Sequence, residues 1–245
     1  MTAAPLARRA AAEFLGTGLL VTVVVGSGIA AETLTRDPGL RLLENALATA
    51  AGLAVLILVF GPVSGGHFNP VISLADWWLG RRDSTGLGAA AFTAYVPAQV
   101  GGAIAGAVLA NAMYDEPLVA WSDHQRSGGG VWLGEIVATA GLLLVVVALA
   151  RSGRAGHTAW AVGAYIGSAY WFTSSTSFAN PAVTVGRAVT DTFAGIAPGS
   201  VGGFVLAQLL GGVLGVALSA VLYPRTGADV DDLVIPQYDV PTERH

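Results

Sequence analysis

The chain repeatedly runs for long stretches without a single formal charge. No Asp, Glu, Lys or Arg occurs in Phe14 to Ala31, Asn45 to Gly66, Ser84 to Tyr114, Ile136 to Ala150 or Thr192 to Pro224. A sixth stretch, His157 to Gly186, is interrupted by nothing more polar than the histidine at its start. A helix needs about 20 mostly apolar residues to cross a bilayer. Six such segments in 245 residues leave little room for a soluble core. The composition agrees: 53% of residues are hydrophobic and 11% are charged, where soluble domains carry about 25% charge. The expectation is an all-α membrane protein with six spans.

Several function classes drop out on the same grounds. There is no cysteine, which excludes disulfides and thiolate metal sites. The formal charge of −4 is too small to point to nucleic acid. No nucleophile, metal cluster or phosphate loop stands out, so no catalytic residue, bound metal or cofactor is expected, and the chain does not read as an enzyme. Arg8 and Arg9 precede an apolar run and imitate a signal peptide. Glu13 interrupts that run and no small-residue cleavage site follows.

The chain has no lysine, so arginine sets the orientation. With six spans, Arg8, Arg9, Arg81, Arg82, Arg151, Arg154, Arg225 and Arg244 share one side with both termini; Arg36, Arg41, Arg126 and Arg187 face the other. The majority side is expected to be cytoplasmic.

The two halves repeat one another. "AEFLGTGLLVTVVV" matches "GEIVATAGLLLVVV", pairing Glu13 with Glu135 and Thr17 with Thr139. The Asn69-Pro70 segment matches Asn180-Pro181. "AQVGGAIAG" matches "AQLLGGVLG", pairing Gln99 with Gln208, Gly102 with Gly211 and Gly106 with Gly215. We read one membrane domain over residues 1–245. Repeat one spans about 9–113, a linker 114–130, repeat two about 131–223, and an acidic tail 224–245. The tail is expected to be disordered or folded over the cytoplasmic face. Three spans per repeat is an odd number, so the second copy enters the membrane inverted, with the functional site expected at the interface near the midplane. The glycine pairs are expected to let their helices approach closely.

Each Asn-Pro corner lies in a connection between spans, yet its surroundings are apolar. From Asn69 to Leu79 a helix would run about 16 Å at 1.5 Å per residue, half of a core about 30 Å thick. Such a segment dips in and stops. At that depth irregular backbone is tolerated only when buried in protein or lining a wet cavity. Asn is a good N-cap, and Pro70 and Pro181 fall at the first helical position, where no N–H is needed. Inverted repeats let the two half-helices meet end to end. Their positive ends would then aim at one central point, with Asn69 and Asn180 offering amide N–H groups to a passing solute.

On these residues the chain resembles the major intrinsic protein family, the aquaporins and glycerol facilitators. "AEFLGT", "SGGHFNP", "ANPA" and the two glutamine-glycine helices carry the resemblance over about Glu13 to Tyr223. It implies a bundle of six transmembrane helices plus two re-entrant half-helices, a pore in each subunit, a homotetramer in membrane lipid, and small neutral solutes. The first corner departs from the pattern, with Val71 where alanine is usual; the second keeps Ala182. The resemblance also implies a constriction of four positions, which fall on Thr49, Ser168, Ser177 and Val183, with Ala51 as an alternative to Thr49. The third position in this family uses its carbonyl more than its side chain.

Val183 stands where the family usually has arginine. The matched positions also lack the aromatics and histidine of narrower members. The filter is therefore expected to be wide and arginine-less, similar to bacterial members that pass neutral metalloid hydroxides such as arsenous acid. Polyols, metalloids and some water are the expected solutes. Narrower alternatives are a water or glycerol facilitator; a proton-coupled secondary transporter is the different class. Arg187, one turn beyond Val183, either lines the outer mouth or snorkels to headgroups, and snorkelling is the expectation.

Glu13 and Glu135 are costly in a membrane. They act either as proton carriers or as hydrogen-bond anchors for the adjacent loops. Their symmetric placement favours anchors, and no further buried carboxylate suggests a relay. His67 either gates the pore by protonation or fixes its loop; the second is expected. Trp77 and Trp78 read as interfacial anchors.

Overall fold

The structure is a computed structural model that describes residues 4–81 and 86–224. Arg82, Arg225, Arg244 and almost the whole acidic tail lie outside the described residues, so the readings placed on them have no structural counterpart.

Eight α-helices make up the described chain: α1 Leu6–Leu34, α2 Pro38–Ser64, α3 Pro70–Gly80, α4 Ala89–Met113, α5 Gly129–Arg151, α6 Thr158–Phe172, α7 Pro181–Gly186 and α8 Pro198–Leu222. Short 3-10 turns, Ala155–His157 and Arg187–Val189, precede α6 and follow α7. Five of these helices (α1, α2, α4, α5 and α8) are long and apolar enough to cross a membrane. The sixth expected span, α6, has 15 residues, about 22 Å at 1.5 Å per residue. A polar run beginning at Thr173 ends it. Thr176 and Ser177 have φ of 60° and 49°, a left-handed conformation that no helix continues through.

Local chemistry sets the helix starts. Asp37 caps α2, accepting from Leu40 N at 2.8 Å. Asn69 caps α3 and Asn180 caps α7, each with proline next in line. α2 stops at Gly65, whose φ of 92° is open to a residue without a Cβ.

The helices pair in two equivalent sets: α1 packs on α4 and α2, while α5 packs on α8 and α6. Glycine makes the tightest contacts possible. A Cβ at Gly106 would collide with the Gly18 carbonyl, and one at Gly102 with the Phe14 carbonyl. In the other half a Cβ would stand 2.6 Å from Ile136 O at Gly211 and 2.8 Å from Ala140 O at Gly215. Thr22 Oγ1 reinforces the first pair, donating to Gly106 O at 3.0 Å.

Outer faces carry exposed Leu47, Val59, Val213 and Val221, the surface expected of helices bathed in lipid. At one end Arg81 lies over the Trp77 and Trp78 rings at 4.9 and 5.2 Å. Trp77 stacks on Phe92 at 5.3 Å, and Trp78 is exposed.

Candidate functional site

The two Asn-Pro corners meet in the centre of the bundle and complete one another. Asn69 Oδ1 accepts from Val71 N at 2.9 Å; Asn180 Oδ1 accepts from Ala182 N and Val183 N at 3.0 and 3.3 Å. Those bonds use the side-chain oxygens as caps. The nitrogens cross over. Asn69 Nδ2 donates to Ala179 O at 2.7 Å, and Asn180 Nδ2 donates to Phe68 O at 2.8 Å. One of the two amide hydrogens on each asparagine is thus held by the opposite loop, leaving the other for a solute. Phe68 and Ala179, each just before its asparagine, have φ of 49° and 47°. That left-handed backbone costs on the order of 1–3 kcal/mol per residue. It turns each carbonyl toward the other half.

The glutamates hold these strained loops. Glu13 is fully buried and accepts from His67 N at 3.0 Å, Phe68 N at 2.7 Å, Ser64 Oγ at 2.6 Å and Gln99 Nε2 at 2.7 Å. Glu135, equally buried, accepts from Phe178 N at 2.9 Å, Ala179 N at 2.8 Å and Gln208 Nε2 at 2.6 Å. Glu13 thus accepts four hydrogen bonds and Glu135 three, the kind of pairing a carboxylate needs to stay in hydrocarbon.

A further buried carboxylate does exist, contrary to expectation. Asp76 on α3 is 4% exposed and its Oδ2 lies 3.7 Å from His67 Nε2. The other ring nitrogen of His67 is 3.1 Å from Ser73 Oγ. The histidine is therefore gripped on both sides.

A cavity lies against the corners, lined by Asn69 and Asn180. The volume open to the centre of a water molecule is about 60 Å³, enough for a short file of waters at about 10–15 Å³ each. Its walls are mostly apolar, with Leu20, Val24, Leu53 and Ile166 among them, and its polar groups converge from a few positions.

Of the four positions matched to the constriction, Thr49, Ser177 and Val183 line this cavity, and Ser168 does not. Thr49 is buried and lines the cavity, whereas Ala51 is exposed. Ser168 is exposed and bonds to its own helix at Ala164 O, 2.8 Å away. It shares the outward face of α6 with Trp160, Ala164 and Phe172. The inward face of that helix is Val162, Ile166 and Tyr170, spaced four apart. Tyr170 faces the cavity where Ser168 does not, and its hydroxyl is 3.2 Å from Thr49 Oγ1. Counting back from Asn180 misses it because the connection after Phe172 passes through left-handed residues at 176, 177 and 179. Helical periodicity within α6 was the signal that could have found it.

Arg187 does not snorkel. It is 2% exposed and lines the cavity. Its Nε donates to Ala194 O, and its guanidinium lies 3.4 Å from the Phe178 ring centroid. The cavity wall therefore carries a fixed cation at Arg187 although Val183 is apolar. The physical reason is that α7 gives way to a 3-10 turn at Arg187, and Phe178 offers a closer platform than any headgroup. Arg126 from the linker covers the same ring at 5.3 Å and ties down the neighbouring loop, donating to Gly195 O at 2.8 Å and Phe193 O at 3.2 Å. Burial lowers the pKa of Arg126, while Tyr170 and Glu135 act in the opposite sense.

Residues 1–174 match the family model described as major intrinsic protein. The chain is 52% identical over 216 residues to the aquaglyceroporin AqpS of Rhizobium meliloti (strain 1021), covering 87% of this chain and 89% of that protein. It is 29% identical over 179 residues to the glycerol uptake facilitator protein of Pseudomonas aeruginosa, covering 62% of each. Among solved structures, the aquaglyceroporin from Plasmodium falciparum superposes with a TM-score of 0.71 at 19% identity, over 89% of this chain and 97% of that one. This last likeness speaks to the fold alone.

Proposed function

Because the chain belongs to the major intrinsic protein family, a family of membrane channels and not of enzymes, we propose that it is a passive pore for small uncharged hydroxylated solutes. Glycerol-like polyols are the main substrates, and neutral metalloid hydroxides such as arsenous acid, together with some water, share the path. The observation that carries this reading is the two-sided lining of the cavity. The Thr49–Tyr170 hydroxyl pair and Arg187 supply donors and acceptors, while Val183 and Ile166 form an apolar wall. A polyol has the same division between its hydroxyls and its carbon backbone, and each part finds its match. The relative at 52% identity, an aquaglyceroporin by name, supports the polyol assignment.

The rest of the assignment follows from the family and the arginine count. The channel acts as a homotetramer in the plasma membrane, a single domain of two inverted repeats, with both termini cytoplasmic. A pore restricted to water or glycerol is the narrower alternative. A proton-coupled transporter would need a carboxylate that gains and loses protons in step with the solute, and both symmetric glutamates are instead committed to backbone donors.

Purified protein in liposomes, challenged in parallel with an impermeant osmolyte, glycerol, urea and arsenite, tests the reading. Glycerol entry well above protein-free vesicles is expected, with no dependence on a proton gradient. Arsenite entry no faster than in protein-free vesicles would remove the metalloid part.

A further inference from the structure

We propose that this channel divides between two residues the tasks of setting pore width and repelling ions: Val183 sets the width, and Arg187, one turn further out, supplies the repelling charge. The proposal rests on the channel reading above and adds the residue that decides charge selectivity.

Three observations carry it. First, Arg187 is a buried cation without a counter-ion. Among the described residues no carboxylate stands within ion-pair distance of it, and its one protein hydrogen bond is Nε to Ala194 O. A charge left in that state is costly unless something else solvates it. Among the described residues the remaining N–H groups of the fork meet no acceptor, so pore water and solute hydroxyls solvate them. Second, the side chain is positioned rather than loose. Phe178 lies against the guanidinium, and Arg126 touches the same ring and holds the loop that presents Ala194 O. Third, Val183 is small, buried and apolar at the cavity wall. It therefore leaves lateral room that a long cationic side chain at the same level would fill.

A cation fixed in a low-dielectric passage acts over several ångströms. Arg187 therefore does not need to sit at the narrowest level to exclude cations and hydronium. Moving it outward lets the bore stay wide without losing charge exclusion. A purely structural Arg187, serving only to staple the 193–195 loop, would affect stability and leave ion selectivity alone.

The experiment uses the full-length protein in liposomes, with glycerol entry read by light scattering and proton entry read by an internal pH dye under a potassium diffusion potential. In Arg187→Met, proton entry is expected to rise about tenfold, equivalent to about 1.4 kcal/mol of barrier. Arg187→Lys should recover most of the exclusion, since the charge returns without the flat stacking surface. Val183→Phe should cut glycerol entry and leave proton exclusion intact. Proton entry in Arg187→Met equal to that of the native channel overturns the proposal, as does a Val183→Phe channel that leaks protons. Should Arg187→Met fail to assemble, Arg187→Gln removes the charge and keeps a hydrogen-bonding side chain; an unchanged proton leak there likewise counts against it. If the native protein passes no glycerol, the functional reading fails, and the proton comparison still answers the question of charge.

Discussion

Glu135→Ala removes the group that fastens the second re-entrant loop, and the structure sets the size of the effect. The carboxylate accepts from Phe178 N, Ala179 N and Gln208 Nε2. Gln208 keeps a second partner, Thr184 Oγ1 at 2.9 Å, but the two backbone N–H groups have no other acceptor in view. Each stranded buried donor costs about 1–3 kcal/mol, so the loss is about 2–6 kcal/mol from those two alone. Ala179 is also one of the left-handed residues, and its carbonyl receives Asn69 Nδ2. Freed from Glu135, it relaxes toward ordinary backbone and withdraws that carbonyl. Both stability and permeation should therefore fall together. The assay is thermal unfolding of purified protein in detergent, paired with glycerol entry into vesicles. Glu135→Gln retains one acceptor oxygen and should lie between native and alanine in both readouts. A Glu135→Ala protein that melts and conducts like the native one would refute the anchoring argument. A glutamine variant more impaired than alanine would refute it too, since it would mean that the charge itself, and not the hydrogen bonds, is what the pore uses.

Val183→Arg should narrow the ring and lower entry of glycerol and larger polyols several-fold while water entry persists, measured by osmotic light scattering; unchanged polyol flux would mean that position 183 is not at the constriction. Tyr170→Phe breaks the hydroxyl pair with Thr49, worth about 0.5–1.5 kcal/mol, and should shift the glycerol-to-urea ratio, whereas Ser168→Ala on the lipid-facing side of α6 should leave that ratio alone. Gly106→Leu forces α1 and α4 apart at the Gly18 carbonyl and should reduce thermal stability by more than the ~1–3 kcal/mol typical of overpacking, since backbone rather than a flexible side chain is in the way.

The scaffold was readable because membrane burial writes itself plainly into a chain: long uncharged runs, a threefold span count per half, and paired Glu, Asn-Pro and glycine positions. The half-helices were readable for the same reason, since "FNP" and "ANP" cap segments too short to cross. The filter was less legible. Thr49, Ser177 and Val183 line the cavity, but Ser168 does not, because fixed spacing from Asn180 assumes a regular connection and the 173–179 stretch contains three left-handed residues. Arg187 was misplaced by weighing its reach to headgroups and not its proximity to Phe178, a contact that exists only once the loop is folded. Asp76 passed unremarked because its neighbours Trp77 and Trp78 suggested an interface, while its carboxylate turns inward to His67.

The crossed amide bonds at the centre also constrain the order in which the channel can be built. Asn69 and Ala179 are 110 positions apart, and Asn180 and Phe68 are 112 apart. During synthesis the amino-terminal half emerges first. Its loop then has a capped asparagine and a Glu13 anchor, but the Phe68 carbonyl still lacks its donor. Only when the second half has entered the membrane, upside down relative to the first, do the two carbonyls receive their amides. The conducting path therefore does not exist in either half of the newborn chain, and a ribosome that stalls before Asn180 leaves a membrane-inserted bundle with no finished hole in it.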